Sequence, residues 1–110
     1  MTPRLTTGFW VSAYLARLEA AAIPAFITAK GDATAGAVLV KIATLNGRAS
    51  AFERAYGPDG ERIWSALADD APEGEVDAAL ARQRSFDPDI WIIELEDKAG
   101  RTLLAEEGLS

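Results

Sequence analysis

The sequence contains neither histidine nor cysteine. Without these residues the chain cannot form a Ser–His–Asp triad, a Cys–His dyad, a zinc finger or a disulfide framework. Any catalysis would have to use carboxylates, hydroxyls, lysine or tyrosine. Long hydrophobic runs are also missing. A membrane-spanning helix needs ~20 apolar residues, and Arg17, Glu19 and Pro24 interrupt the longest apolar stretch before it reaches that length.

The N-terminal segment shares two features with a secretory signal peptide. Arg4 precedes an apolar run at residues 9–15, and the three alanines at 20–22 resemble a cleavage site. However, Arg17 and Glu19 interrupt the apolar stretch before that site, which the apolar core of a signal peptide does not allow. We therefore expect a cytoplasmic protein that does not associate with a membrane.

The net charge of −6 is unevenly distributed. Residues 1–55 contain six basic and three acidic residues, a net charge of +3, whereas residues 56–110 contain five basic and fourteen acidic residues, a net charge of −9. An acidic chain argues against nucleic-acid binding, since Lys and Arg contacts to phosphates supply most of that affinity. The positive charge of the first half is compatible with binding of a small anionic ligand or an acidic partner.

A length of 110 residues predicts a single domain over residues 1–110. Hydrophobic periodicity and turn residues predict a helix over 7–22 and strands over 25–30, 37–45, 48–56 and 62–68, with a helix as the alternative for the last of these segments. They also predict a turn at 57–60, a helix between 70 and 88, a strand over 89–97 and a short edge strand at 102–104. This order predicts an α+β fold, with an antiparallel sheet of four to five strands. We expect a four-strand meander, a second helix that crosses back to the last strand, and both helices packed on one face.

Both predicted helices have recognisable starts. Thr6 or Thr7 is a suitable N-cap for the first helix. Asp70 followed by Glu73 predicts a capping box at the start of the second helix. Glu73, together with Glu75 and Asp77, would then lie where the helix dipole favours negative charge.

A loop at residues 31–36 has a glycine at each end. Backbone amides around glycines can hold an anion, but a phosphate loop opens onto a helix and carries Lys-Ser or Lys-Thr. This loop leads into a strand and has neither dipeptide. The sequence therefore favours a turn in which Asp32 serves as the cap.

The last predicted strand and the residues before it contain the densest group of reactive side chains. Asp87 and Asp89 precede the strand, and Glu94 and Glu96 project from one of its faces, ~6.6 Å apart. Two such carboxylates can share a divalent cation or a proton. The alternative is that they form cross-strand ion pairs with basic residues of the sheet, namely Lys41, Arg48 or Arg54.

Four further residues have two interpretations each. Arg17, on an otherwise apolar helix, either pairs with an acid of the last strand or forms part of an anion site. Trp10, Trp64 and Trp91 either belong to the core, where each indole buries a large area, or form a binding platform. We expect the core placement, most of all for Trp91, which has isoleucine on both sides.

Three segments of the chain resemble a small proteobacterial family known only as a domain of unknown function. They are Trp10-Val11-Ser12-Ala13 with Arg17, then Gly31-Asp32 followed by Gly36, and finally Asp87-Pro88-Asp89-Ile90-Trp91 leading to Glu94-Leu95-Glu96. The resemblance extends over the whole chain, and it implies a bacterial cytoplasmic protein. It identifies no catalytic residue.

Two functional hypotheses follow. The first is a non-enzymatic interaction or small regulatory module that binds another protein or a second copy of itself and needs no cofactor. The alternative is a carboxylate-based enzyme or a divalent-metal-binding protein, in which Arg17 or Lys41 would hold an anionic substrate. The candidate ligand-binding residues are Arg17, Asp32, Asp87, Asp89, Glu94 and Glu96.

Overall fold

The computed structural model describes residues 6–56, 58–60 and 62–106. They form two helices and five strands: α1 (Thr7–Ala20), β1 (Ala25–Ala29), β2 (Val38–Ala43), β3 (Arg48–Tyr56), β4 (Arg62–Pro72), α2 (Glu73–Phe86) and β5 (Trp91–Glu96). The predicted α+β class is confirmed. The turn predicted at 57–60 lies partly outside the described residues. No helix in the described part of the chain is long and apolar enough to cross a membrane.

The five strands form one sheet in the order β1-β5-β2-β3-β4. The predicted meander holds only for β2, β3 and β4, because β5 inserts between β1 and β2. β5 runs parallel to β2 and antiparallel to β1. Parallel neighbours need a long crossover connection, and α2 forms part of the connection that returns the chain to β5. Residues 102–104 form no strand; Leu104 packs into the core instead.

The two helices cover opposite faces of the sheet, so the predicted placement of both helices on one face is wrong. Tyr14 of α1 lies in one core cluster with Val40 of β2, whereas Leu80 of α2 lies in a second cluster with Leu39 of the same strand. Successive side chains of a strand point to opposite faces, and all six residues of β2 are buried. Each face therefore needs its own cover, and each helix supplies one.

Helix α1 begins as its sequence predicts. The Thr6 side chain caps it by accepting a hydrogen bond from the amide of Phe9 at 3.3 Å. Tyr14, in the middle of the helix, is fully buried, and its hydroxyl donates to the carbonyl of Thr102 at 2.8 Å. Burial raises the pKa of this hydroxyl well above its usual range. These contacts fix α1 against the sheet and against the segment that follows β5.

The predicted capping box at the start of α2 is wrong. Asp70 belongs to β4, which continues past it to Pro72, paired with Arg48 of β3. The carboxylate of Asp70 accepts from Nε of Arg48 at 2.8 Å, so this side chain is not available as a cap. The helix begins at Glu73, whose amide donates to the carbonyl of Gly47 at 2.9 Å. Pairing with β3 thus replaces the local capping interaction.

The glycine loop at 31–36 packs against the start of β5. The amide of Asp32 donates to the carbonyl of Asp89 at 3.0 Å, and the indole of Trp91 donates to the carbonyl of Asp32 at 2.8 Å. A Cβ atom on Gly31 would lie 2.1 Å from the Asp89 carbonyl oxygen, and a Cβ on Gly36 would lie 2.3 Å from the same atom. Both positions require glycine because backbone approaches backbone.

We predict that Gly36→Ala lowers the free energy of unfolding by about 2 kcal/mol, since overpacking against atoms that cannot move aside costs ~1–3 kcal/mol. The matched control is Gly74→Ala in α2, where a Cβ meets nothing within 4 Å. That substitution should be neutral or stabilising by up to ~1 kcal/mol. Urea unfolding measures both variants, and equal stability of the two would contradict the packing argument.

Candidate functional site

Lys41 lies within β2, and only 2% of its side chain is exposed. Its ammonium donates to three carboxylates: Nζ lies 2.7 Å from Oε2 of Glu73, 2.6 Å from Oδ1 of Asp77 and 2.9 Å from Oε1 of Glu94. An ammonium has three N–H donors. These four residues, the Lys41 cluster, therefore satisfy the hydrogen-bonding capacity of the buried group.

The sheet register and the helical repeat bring the cluster together. In the parallel pairing of β2 with β5, Lys41 lies beside Glu94. Glu73 and Asp77 are four residues apart in α2, so they project from the same side of the helix. That side faces the sheet at Lys41. The cluster joins β2, β5 and α2 at one point.

One of the predicted cross-strand ion pairs is present. Glu94 pairs with Lys41, although Lys41 lies beneath α2 and not on a solvated face. Arg48 pairs with Asp70 instead. Arg54 lies on the α1 side, with its guanidinium 4.9 Å and 5.3 Å from the centres of two indole rings.

The cluster keeps Lys41 protonated. Burial alone lowers the pKa of the amine, but the hydrogen bonds that the ammonium donates to Asp77, Glu73 and Glu94 outweigh this effect, and the pKa of Lys41 rises well above its ordinary 10.5. A protonated amine is neither a nucleophile nor a base. Three carboxylates share this one ammonium, so the cluster carries a net charge of −2. Their side chains are between 29% and 55% exposed.

Two members of the cluster, Glu73 and Asp77, were not among the candidate residues from the sequence. Their positions near the start of α2 are explained equally well by the helix dipole. The available signal was Lys41 itself, because it is the only charged residue in the apolar strand 38–43. A lysine in such a strand needs carboxylate partners, but the sequence does not specify which ones.

Three of the predicted site residues lie together. The Asp32 carboxylate accepts from the amides of Thr34 and Ala35 at 3.2 Å and 2.8 Å, and that of Asp87 accepts from the amide of Asp89 at 3.0 Å. The prediction that Asp32 caps its turn is confirmed. These side chains border an open cleft of about 260 Å³, which is lined by Asp32, Ala35, Gly36, Ala37, Asp87 and Asp89.

The other three candidates lie elsewhere. Glu94 belongs to the Lys41 cluster, and Glu96 lies at the end of β5, where its amide donates to the carbonyl of Pro24 at 3.0 Å. Arg17, on α1, contacts Glu106 at 3.5 Å, beyond the last strand. The six residues therefore occupy several separate places. Within the described ranges, no group of three or more acidic side chains is arranged to hold a metal ion.

Two of the three tryptophans are core residues, as expected. Trp10 and Trp91 are buried, and both belong to the cluster beneath α1. Trp64 is half-buried, with its ring centre 5.6 Å from that of Trp10. This arrangement favours packing over an open binding platform.

The edge strand β1 exposes apolar side chains. Phe26 is 51% exposed and Ile27 is 44% exposed, and Thr28 beside them is exposed as well. β1 pairs with β5 on one side, and no other strand in the described part of the chain pairs with its second side. Phe26 lies opposite Glu94 in this pairing, so both side chains are on the α2 face.

We predict that Lys41→Met lowers the free energy of unfolding by about 3 kcal/mol at pH 8, because removing one partner from a buried ion pair leaves the others uncompensated. The control, Lys30→Met, removes an exposed amine and should change stability by less than ~0.5 kcal/mol. Urea unfolding provides the comparison. Equal losses for the two variants would contradict a structural role for the cluster.

The difference in stability between wild type and Lys41→Met should depend on pH. The pKa of Lys41 is raised on folding, so its contribution is complete below its unfolded value of about 10.5 and is lost as the pH rises toward the folded value. The stability difference between wild type and Lys41→Met should therefore shrink above pH ~10.5. The pKa of Tyr14 is also raised by burial, so this residue reduces stability at high pH as well, but equally in wild type and Lys41→Met. A difference that widens above pH ~10.5 would contradict the assignment.

Comparison with known proteins gives one family. The sequence model of the family described as "Protein of unknown function (DUF1491)" matches residues 5–105. The comparison with curated proteins finds no match.

Several solved structures are similar over nearly the whole chain. The crystal structure of a DUF1491 family protein from Caulobacter crescentus is 42% identical, covers 94% of this chain and 97% of its own, and has a TM-score of 0.85. An NMR structure of a DUF1491 family protein from the same organism is also 42% identical, with 96% of each chain covered and a TM-score of 0.82. The solution structure of protein Atu0922 from A. tumefaciens is 30% identical, with 86% of each chain covered and a TM-score of 0.73. This chain belongs to the DUF1491 family of proteins of unknown function.

Proposed function

We propose that this chain is a non-enzymatic interaction module of the bacterial cytoplasm, which binds an extended segment of a partner protein by strand addition to β1. The observation that carries the proposal is the exposed edge of β1, where two large apolar side chains, Phe26 and Ile27, face solvent. In strand addition, main-chain hydrogen bonds provide affinity and side-chain contacts on alternate faces provide specificity.

The two edges of the sheet differ in how well they are protected against such pairing. β4, at the other edge, has 11 residues that include Asp69, Asp70 and a proline, and register shifts interrupt its pairing with β3 at two points. Charges, prolines and bulges are the features that prevent an edge strand from pairing with another chain. β1 contains no charged residue and no proline, and it has one register shift.

That register shift sets the length of the available edge. It falls between Ile27 and Ala29, and the Thr28 hydroxyl donates inward to the carbonyl of Ile92 at 3.2 Å. Regular pairing is therefore confined to a few residues of β1. A partner segment that pairs over so short a length should bind with a Kd on the order of 1 mM, which corresponds to about −4 kcal/mol.

The polar groups of the chain favour binding over catalysis. Lys41 is held as a protonated amine by three carboxylates, so it does not supply a base. Asp32 and Asp87 accept hydrogen bonds from the amides of their own turns. Glu94 is engaged by Lys41. These arrangements stabilise the fold and support a binding role over a catalytic one.

The test is an NMR titration of ¹⁵N-labelled protein with a seven-residue peptide of alternating valine and glutamine. We expect amide shift changes at β1 and the adjacent residues of β5, with a Kd on the order of 1 mM. A peptide of the same sequence with every backbone nitrogen methylated should not bind, because it lacks the N–H donors that a strand needs. Shifts that centre on another surface, or equal binding of the methylated peptide, would overturn the proposal.

Side-chain variants locate the binding surface. We predict that Phe26→Ser weakens binding of the unmethylated peptide at least about threefold, since an apolar contact of this size is lost. The matched control is Phe86→Ser, which removes a phenylalanine that is 83% exposed at the end of α2. It should leave binding unchanged. Equal effects of the two substitutions would show that general surface hydrophobicity, and not β1, accounts for the binding.

A further inference from the structure

We infer that the segment bound by β1 is basic, with Lys or Arg side chains that lie over an acidic strip beside the strand. This inference rests on the proposed strand addition and specifies the chemistry of the partner. The acidic strip consists of four carboxylates on the α2 face of the sheet. Glu94 and Glu96 belong to β5, the strand beside β1, and Glu73 and Asp77 of α2 meet Glu94 at Lys41.

The sheet register places the strip at the exposed edge. Phe26 is the cross-strand neighbour of Glu94, and Glu96, two residues further along β5, projects from the same face. The amide of Glu96 bonds to the carbonyl of Pro24, the residue just before β1, so Glu96 lies beside the N-terminal end of β1. A strand added to β1 would lie about 10 Å from β5, two strand spacings away. The long stem of a Lys or Arg side chain can span much of that separation.

The charge of the strip is not balanced within the described part of the chain. Lys41 is the only cation that its members contact there, and three of the four carboxylates share it. Glu96 forms no ion pair with any side chain of residues 6–56, 58–60 and 62–106. The strip together with Lys41 therefore carries a net charge of −3. Because it lies beside an apolar strand edge, it favours partner segments that combine apolar and basic residues.

The same charge argues against a second copy of this chain as the occupant. Each copy has a net charge of −6, and pairing β1 with β1 would place two acidic strips on one continuous sheet. Like charges on both partners slow association and weaken binding. For a basic segment the opposite holds: opposite charge accelerates association, and each exposed ion pair adds a small favourable binding free energy.

The inference is tested with three seven-residue peptides in which valine alternates with lysine, glutamine or glutamate. Binding is followed by the β1 amide shifts at 20 mM and 300 mM NaCl. We expect the lysine peptide to bind about tenfold more tightly than the glutamate peptide at low salt, with the advantage falling to about threefold or less at high salt, where the screening length is shorter. Glu96→Gln should reduce the lysine advantage about twofold. The control, Glu75→Gln, changes an exposed acid that lies outside the strip and should have no effect.

The outcomes separate the two proposals. If the glutamine peptide does not bind, the proposed strand addition itself is wrong. If the three peptides bind equally, or if Glu96→Gln and Glu75→Gln behave alike, strand addition holds and the inference of a basic partner is overturned. Sedimentation velocity of the unliganded protein provides one further check. A dimer that Phe26→Ser dissociates would identify a second copy as the occupant and would also overturn the inference.

Discussion

The ammonium of Lys41 lies between the sheet and α2 with almost no exposure to solvent, and a charge in that position requires partners. One partner, Glu94, comes from the neighbouring parallel strand, and the other two, Glu73 and Asp77, come from the helix. Their convergence holds α2 over the sheet at Lys41. Since α2 contacts chiefly β2, β3 and β4, it leaves the corresponding face of β1 largely uncovered, and Phe26 on that face is exposed. The helix position that satisfies the buried charge therefore also accounts for this exposure.

A second constraint acts on the opposite end of β5. The glycine loop bonds to Asp89, and the start of α1 bonds to the loop, with the Gly8 amide 2.8 Å from the carbonyl of Ala33 and the Thr7 hydroxyl 2.8 Å from that of Gly36. Two of the three segments that carry the family resemblance, the glycine loop and the start of β5, thus meet at one place, and the first turn of α1, just before the remaining segment, packs there as well. The glycines of the loop allow close backbone packing, and the Asp32 and Asp87 carboxylates stabilise turns.

Local pattern was sufficient for the elements and insufficient for their arrangement. α1 with its Thr6 cap, the strands β2 and β5, and the turn role of Asp32 follow from periodicity and side-chain chemistry, and all are present. The faces covered by the helices depend on tertiary contacts, although the largely apolar character of β2 on both of its faces is typical of a strand buried on both sides. Asp70 is a second example: its position in the sequence suits a helix cap, but its carboxylate pairs with Arg48 of the neighbouring strand.

The structure explains part of the excess of acidic residues in the second half of the chain. Near the start of α2, negative charge is favoured by the helix dipole, and the same carboxylates also neutralise Lys41. Together with Glu94 these carboxylates carry three negative charges, and one ammonium balances only one of them. A protein interior does not accommodate the two remaining charges. The carboxylates therefore remain partly hydrated at the margin of α2. They form part of the acidic strip, so the groups that secure the fold also contribute to the electrostatic character of the surface beside β1.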